Sequence, residues 1–565
     1  MKARIILSTA ACVLITVAIA LVQTPSPPAL PGSLARLAPA GAMLLVEAKD
    51  FSSLIGRWND SAEKAAWLES ANYRAFSKSR LYLRLEDAYN EFAAAAGVPP
   101  DMTLVSDVAG GESALALYDI GDLEFLYITR LPSARLLENA LWRARGNYTP
   151  RQAAGTTFYV RSDADKKRVV AFGTRDQYLL LASREDLVAG SLGLIASKTG
   201  ATIADERWYR QAVEAAQSPG DLRLVLDLAT VTKAPHFRSY WTQGNVSDLK
   251  QYASGVSDLT WTAGDMREER VLLRSEERPA PEPGALGELV ALVPATAGLY
   301  RAWAAPTTDM ATKLVVGKVL RGGPPSMVRS RVAPGVSLTG GVVGREGDLE
   351  SRIDQELPAT GAPTYQTTPL TQFIGSAPLT AALHVESTRP AADGIFVDRG
   401  SVIVLARAGD WPAGRAAQVL STAIAPVWTK AGLGLAWREV ESGDQRFTTL
   451  EGLESLQVAE RGRLLFVAND PALLIATLGL VGRQSLKLDA TFTGGFRHSV
   501  ERERFASLMR LVDYNPQAEE AREPRFFSDN LVSLSETLAH LESISIVVRD
   551  RGARVSETVS YRRTP

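Results

Sequence analysis

Four stretches of this chain recur in the same order later in it, and a chain that contains itself twice must adopt a fold it can build twice. Leu37–Leu44 (LAPAGAML) matches Leu292–Leu299 (LVPATAGL) at five of eight positions. Val169–Leu194 aligns without gaps on Ser455–Leu480, where seven of 26 residues agree against roughly two from background usage. Pro235–Ser239 shares Pro, Phe and Ser with Pro524–Ser528, and Gly255–Arg274 shares five residues with Ser543–Arg562. Two copies are too few for a solenoid, so the sequence predicts two related domains. The offset grows from 255 to 286 between the first and second matches, so the second copy gains about 31 residues. The loop-rich stretch 322–373 is the expected place for them.

Each copy reads as α+β. Met43–Glu47 is a short buried strand, and 51–97 reads as helix with Asp50 able to cap it. Ser113–Tyr118 and Leu123–Thr129 form a hairpin, and Pro132-Ser133 opens a helix. Arg168–Ala182 folds back at Thr174-Arg-Asp-Gln177, as Leu456–Ala468 does at Glu460-Arg-Gly-Arg463. Each of these hairpins runs into a capped helix, through Ser183-Arg-Glu-Asp186 in one copy and Asn469-Asp-Pro471 in the other. A last hairpin joins Val256–Trp261 to Glu269–Leu273. The expectation is a mostly antiparallel sheet with helices packed on one face.

The N-terminus sets the compartment. Lys2 and Arg4 precede an apolar run from Ile5 to Val22, the layout of an export signal or signal anchor over residues 1–22. Pro-rich residues 23–33 follow as a spacer, then a first domain over 34–274, a Pro- and charge-rich linker over 275–284 and a second domain over 285–565. With its basic end on the cytoplasmic side, the body faces outward whether or not the signal is cut. The expected location is periplasmic, either anchored through the N-terminal segment to the inner membrane or released. The one cysteine, Cys12, lies within the signal, so no disulfide holds the body.

Composition excludes some functions. Lys plus Arg number 62 and Asp plus Glu 63, a net charge of −1 that excludes nucleic-acid binding driven by bulk charge. The four histidines, His236, His384, His498 and His540, are too far apart for a zinc motif. His384 sits in an apolar strand and reads as packed or at an edge, while His498 and His540 read as solvated. No cofactor, metal or catalytic residue is expected. Ser61-Ala-Glu-Lys64, Lys198-Thr-Gly200 and Ser528-Asp-Asn530 copy fragments of penicillin-binding enzymes in the wrong order. The one candidate binding patch is the loop 233–245, where His236, Arg238, Tyr240 and Trp241 combine charge with π surface.

The opening Leu-x-Pro-Ala followed by a strand ending in Val-Glu, Leu37–Glu47, resembles a family of bacterial exported envelope proteins of unknown function. The second copy keeps Pro294-Ala295 but ends its strand in Arg301-Ala-Trp303. The resemblance implies an envelope location and a duplicated α+β fold, and supplies no catalytic residue. The leading expectation is a non-catalytic protein that binds an envelope protein or a glycan, or scaffolds an assembly. Two alternatives are a periplasmic hydrolase acting on glycan or peptide and a carrier of a small ligand or lipid.

Overall fold

The computed structural model describes residues 33–78, 80–100, 102–163, 168–197, 199–216, 218–234, 249–262, 264–281, 286–320, 365–390, 397–428, 435–450, 455–502 and 540–564. The fold is α+β and divides into two compact units. Their main boundary falls between Arg278 and Pro279, within the exposed stretch 275–281. Residues 1–22 and all but the last residue of the spacer 23–33 lie outside the described residues, as does most of 322–373. No helix among the described residues is long and apolar enough to cross a membrane.

Unit 1 contains ten strands: β1 (Leu44–Ala48), β2 (Ser113–Asp119), β3 (Glu124–Arg130), β4 (Thr149–Ala153), β5 (Thr156–Asp163), β6 (Arg168–Arg175), β7 (Tyr178–Ala182), β8 (Leu222–Asp227), β9 (Tyr252–Trp261) and β10 (Asp265–Arg274). They pair antiparallel in the order β4-β5-β6-β7-β3-β2-β1-β8-β9-β10. Unit 2 contains β11 (Leu299–Ala304), β12 (Leu379–Pro390), β13 (Val397–Arg407), β14 (Trp437–Ser442), β15 (Gln445–Leu450), β16 (Leu456–Arg461), β17 (Leu464–Ala468), β18 (Phe492–Arg497), β19 (Leu541–Asp550) and β20 (Arg554–Arg563), which belongs to this unit from Glu557 onward. Its order is β14-β15-β16-β17-β13-β12-β11-β18-β19-β20, the order of unit 1 strand for strand.

The correspondence reaches single turns and hydrogen bonds. Asp176 between β6 and β7 and Gly462 between β16 and β17 both take left-handed backbone, at φ 55° and 56°. A tight hairpin turn demands that conformation, and glycine adopts it without cost. Just past β7, the Ser183 amide donates to the Phe125 carbonyl at 3.1 Å while the Ser183 hydroxyl accepts from the Phe125 amide at 2.9 Å. Past β17, Asn469 does the same with Ser401, at 3.1 and 2.7 Å. In both units a side-chain oxygen stands in for the next backbone carbonyl of the ladder. Ser183 and Asn469 therefore clamp strands; the cap of the helix Pro471–Leu478 is Asp470, which accepts from Ala472 and Leu473.

Helices cover both faces of each sheet, which corrects the one-face expectation. In unit 1, Ala171, Leu180 and Ala182 pack with Val188 and Leu192 of the helix Glu185–Ser197. Their strand neighbours Val170, Phe172, Leu179 and Leu181 pack with Ala95 and Ala96 of the helix Arg80–Ala96 and with Leu136 and Leu141. Successive residues of a strand face opposite ways, so the two clusters lie on opposite sides of the sheet. Unit 2 repeats this: Ile403, Leu405, Leu465 and Val467 pack with Leu420 and Ile424, while Val402, Val404, Leu464 and Phe466 pack with Leu473 and Leu474. The physical reason is legible in β7 (YLLLA) and β17 (LLFVA), which are apolar at consecutive positions and need cover on both sides.

Two further expectations change. The segment 51–97 is broken into the helices Phe51–Asn59, Ala62–Glu69, Ala71–Phe76 and Arg80–Ala96. Asp50 caps the first as expected, accepting from the Ser53 amide at 3.0 Å. Ser61 and Ser70 restart the chain, their hydroxyls accepting from the amides of Lys64 and Tyr73 at 3.1 and 3.0 Å. The extra residues of unit 2 relative to unit 1 do not form one insertion. They are spread over the β1–β2 connection (49–112 against 305–378), the next hairpin (113–130 against 379–407) and the connection after it (131–148 against 408–436).

Candidate functional site

If the two sheets are laid over each other strand by strand, Leu44 matches Leu299, and the pairings then fix every neighbouring position. Val46, Leu115, Leu117 and Phe125 of unit 1 correspond to Arg301, His384, Glu386 and Ser401 of unit 2. Unit 1 keeps this patch apolar, with Val46 and Phe125 packed against apolar clusters. Unit 2 places an arginine, a histidine, a carboxylate and a hydroxyl there. Ions in such a place cost several kcal/mol each unless well paired, so the substitution marks the site.

The local chain explains the arrangement. The helix Thr308–Leu314, capped by Thr307, continues as a π-helix over Val315–Leu320. Its wider turns bury Val315, Val316, Val319 and Leu320 and bring Lys318 to the sheet. Segments of π-helix commonly mark functional sites. Below it, β12 carries His384 and Glu386 on one face, with Arg301 of β11 beside His384 and Ser401 of β13 beside Glu386.

Glu386 is the centre of the cluster. Its Oε1 lies 3.0 Å from Arg399 Nε, and its Oε2 lies 3.9 Å from Lys318 Nζ and 3.5 Å from His384 Nε2. Side-chain exposure rises outward, from 0% at His384 through 13% at Glu386 and 34% at Lys318 to 53% at Arg399. The cluster thus opens to solvent on the Arg399 side. Arg301 is half-buried and its guanidinium makes no hydrogen bond or ion pair among the described residues. Burial pulls its pKa below the usual arginine range; Glu386 opposes the shift and Arg399 adds to it.

Ser401, His384 and Glu386 are the residue types of a hydrolytic triad, and their geometry is not that of one. The Ser401 hydroxyl lies 3.4 Å from His384 Nε2, the same nitrogen that faces Glu386. A triad needs the nucleophile and the orienting carboxylate on opposite ring nitrogens. Here Nδ1 is buried with no hydrogen-bond partner, and Ser401 is 1% exposed. Burial, reinforced by Lys318, Arg301 and Arg399, lowers the His384 pKa to about 3. The imidazole is therefore neutral near pH 7, and a base this weak is poorly matched to proton transfer there.

Unit 1 has a polar cluster on the opposite face of its sheet. Ser33 donates to Glu47 Oε1 at 2.6 Å and lies 2.8 Å from the Tyr209 hydroxyl, which donates to Glu47 Oε2 at 3.2 Å. Next in the row, Arg223 Nε and one terminal nitrogen bind both oxygens of Asp258 at 2.7 and 2.8 Å, and the Gly220 amide adds a third bond at 2.9 Å. Burial and then Glu47 push the Tyr209 phenol above its usual range. These bonds satisfy one another and fix where the chain enters the first sheet. Unit 2 carries Ala302, Thr493 and Val547 at the places of Glu47, Arg223 and Asp258.

The residues singled out from sequence fare as follows. His236, Arg238, Tyr240 and Trp241 lie outside the described residues. His384 is packed in its strand. His498 is 7% exposed, not solvated; its ring meets Phe496 edge-on at 4.8 Å, and burial, then Arg502, lower its pKa to about 4. His540 is exposed. Ser61 is used as a helix cap. No group of three or more His, Cys, Asp or Glu able to hold a metal occurs among the described residues. The residues that sequence reading missed are Arg301, Lys318, Glu386 and Arg399, and their one trace in sequence is the change from Val46-Glu47 in unit 1 to Arg301-Ala302 in unit 2.

No protein-family model matches the chain, and no curated protein matches it. Among solved structures it is similar to crystal forms I and IV of TP0453, at 9% and 10% sequence identity. Those alignments cover 44% and 42% of this chain and 81% and 79% of the other, each with a TM-score of 0.23.

Proposed function

We propose that this chain is an exported, envelope-associated protein that binds rather than catalyses, and that the basic cluster of unit 2 is its binding surface. The basic residues Lys2 and Arg4 before the apolar run Ile5–Val22, with the Pro-rich spacer behind, support export. The shared strand order, the paired turns at Asp176 and Gly462 and the clamps at Ser183 and Asn469 support an origin by internal duplication.

The observation that carries binding over catalysis is the placement of Ser401 and Glu386 on one nitrogen of a neutral, buried His384. A periplasmic hydrolase working from this cluster would need the serine reachable and the histidine oriented through its other nitrogen. The test is an assay of the purified mature protein on p-nitrophenyl acetate and on cell-wall glycan and peptide. The expected rate equals that of Ser401→Ala and of buffer. Turnover abolished by Ser401→Ala or by Glu386→Gln would overturn the reading.

A further inference from the structure

Resting on that reading, we infer that Arg301, Lys318 and Arg399, gathered around Glu386, form a site for a phosphate-type dianion. Three cations face one carboxylate, and the histidine beside them is neutral, so the cluster holds two positive charges in excess. Half-buried charge left uncompensated is costly. A ligand with two negative charges balances the count; a monocarboxylate leaves one charge over.

Geometry points the same way. The cations come from three elements: Arg301 from β11, Lys318 from the π-helix and Arg399 from β13. Arg399 is held by Glu386 at 3.0 Å, whereas Lys318 stands at 3.9 Å, the outer limit of an ion pair, and the Arg301 guanidinium has no partner among the described residues. A tetrahedral anion offers oxygens in several directions, and an arginine fork grips two of them at once. His384 Nε2, within 3.5 Å of Glu386 and 3.4 Å of Ser401, braces the carboxylate from the buried side. The exposed flank at Arg399 is the way in. In unit 1 the same sheet positions are Val46, Leu115, Leu117 and Phe125, so the site belongs to unit 2 alone.

The dianion has two sources, free inorganic phosphate or a phosphomonoester on a larger molecule. Calorimetric titration of the full chain with inorganic phosphate and with glycerol phosphate separates them. Saturable binding of either, weakened by added NaCl and reduced about tenfold or more in Arg301→Met, is the expected result; tighter glycerol phosphate binding assigns the site to a monoester, tighter inorganic phosphate to the free ion. No saturation by either ligand, or binding by Arg301→Met and Lys318→Met undiminished from that of the unaltered protein, overturns the inference. Thermal melting guards against a folding artefact. Removing an uncompensated charge is expected to leave the Arg301→Met midpoint unchanged or higher, while a lower midpoint with undiminished phosphate binding makes Arg301 a structural residue. Failure here leaves the hydrolysis assay untouched, because that assay turns on Ser401 and Glu386 chemistry and not on phosphate affinity.

Discussion

Burial takes His384 far from its environment in water. Folded, its pKa is about 3; unfolded, it returns to about 6.5. Between those values the unfolded chain binds the extra proton, so stability rises with pH through that window and is lost as pH falls from about 6.5 toward 3. The slope from one such histidine is about 1.4 kcal/mol per pH unit, and His498 adds its own between about 6.5 and 4. Lys318, Arg301 and Arg399 oppose the imidazolium, and Glu386 is the one carboxylate in the cluster facing it. Replacing His384 with leucine, the residue unit 1 uses at this position, is expected to flatten the dependence. Urea midpoints at pH 5, 6 and 7 check this, and equal slopes in the two proteins would show that His384 titrates normally. The sequence revealed His384 as a packed strand histidine because its neighbours are apolar. It did not reveal the cluster, because Arg301, Lys318, Glu386 and Arg399 come from four elements that only the fold brings together.

At the scale of elements, hairpins were more legible than helices. Turn residues fix where a strand reverses, so Thr174-Arg-Asp-Gln177 and Glu460-Arg-Gly-Arg463 locate their hairpins directly. The stretch 51–97 is helix-forming almost throughout, but Ser61 and Ser70 sit where their hydroxyls can cap a new helix, and that local competition breaks the run. Asn469 illustrates an element end that composition cannot decode. It lies one residue before the capping Asp470 and serves as a clamp that extends the β13–β17 pairing through its side chain. Asn469→Ala strands the Ser401 amide, which is part of the buried edge of the cluster, and is expected to cost about 1–2 kcal/mol. Asn469→Ser, copying Ser183, is expected to recover part of it. Equilibrium urea unfolding of the three proteins measures both, and a neutral alanine variant would remove the clamp from the account.

Across the whole molecule, the α+β character expected from successive hairpins and capped helices is present in both compact units. Cover on both faces follows from the consecutive buried residues of β7 and β17, which turn signals alone do not report. An alignment of the self-matches registers only the total of the extra length, so three lengthened segments and one insertion leave nearly the same offset. A periplasm-active reporter fused after Pro565 is expected to be active, and the mass of the recovered protein will report whether residues 1–22 are removed; a fusion active only in the cytoplasm would refute the orientation drawn from Lys2 and Arg4.

The exchange of Val46, Leu115, Leu117 and Phe125 for Arg301, His384, Glu386 and Ser401 has a practical corollary. A molecule that carries two versions of one framework, only one of them charged, brings its own reference into every experiment. Warming, crowding or denaturant acts on both versions through their common architecture. Amide exchange on β1–β3, subtracted from that on β11–β13, therefore cancels the shared response and leaves what the ionised half does differently.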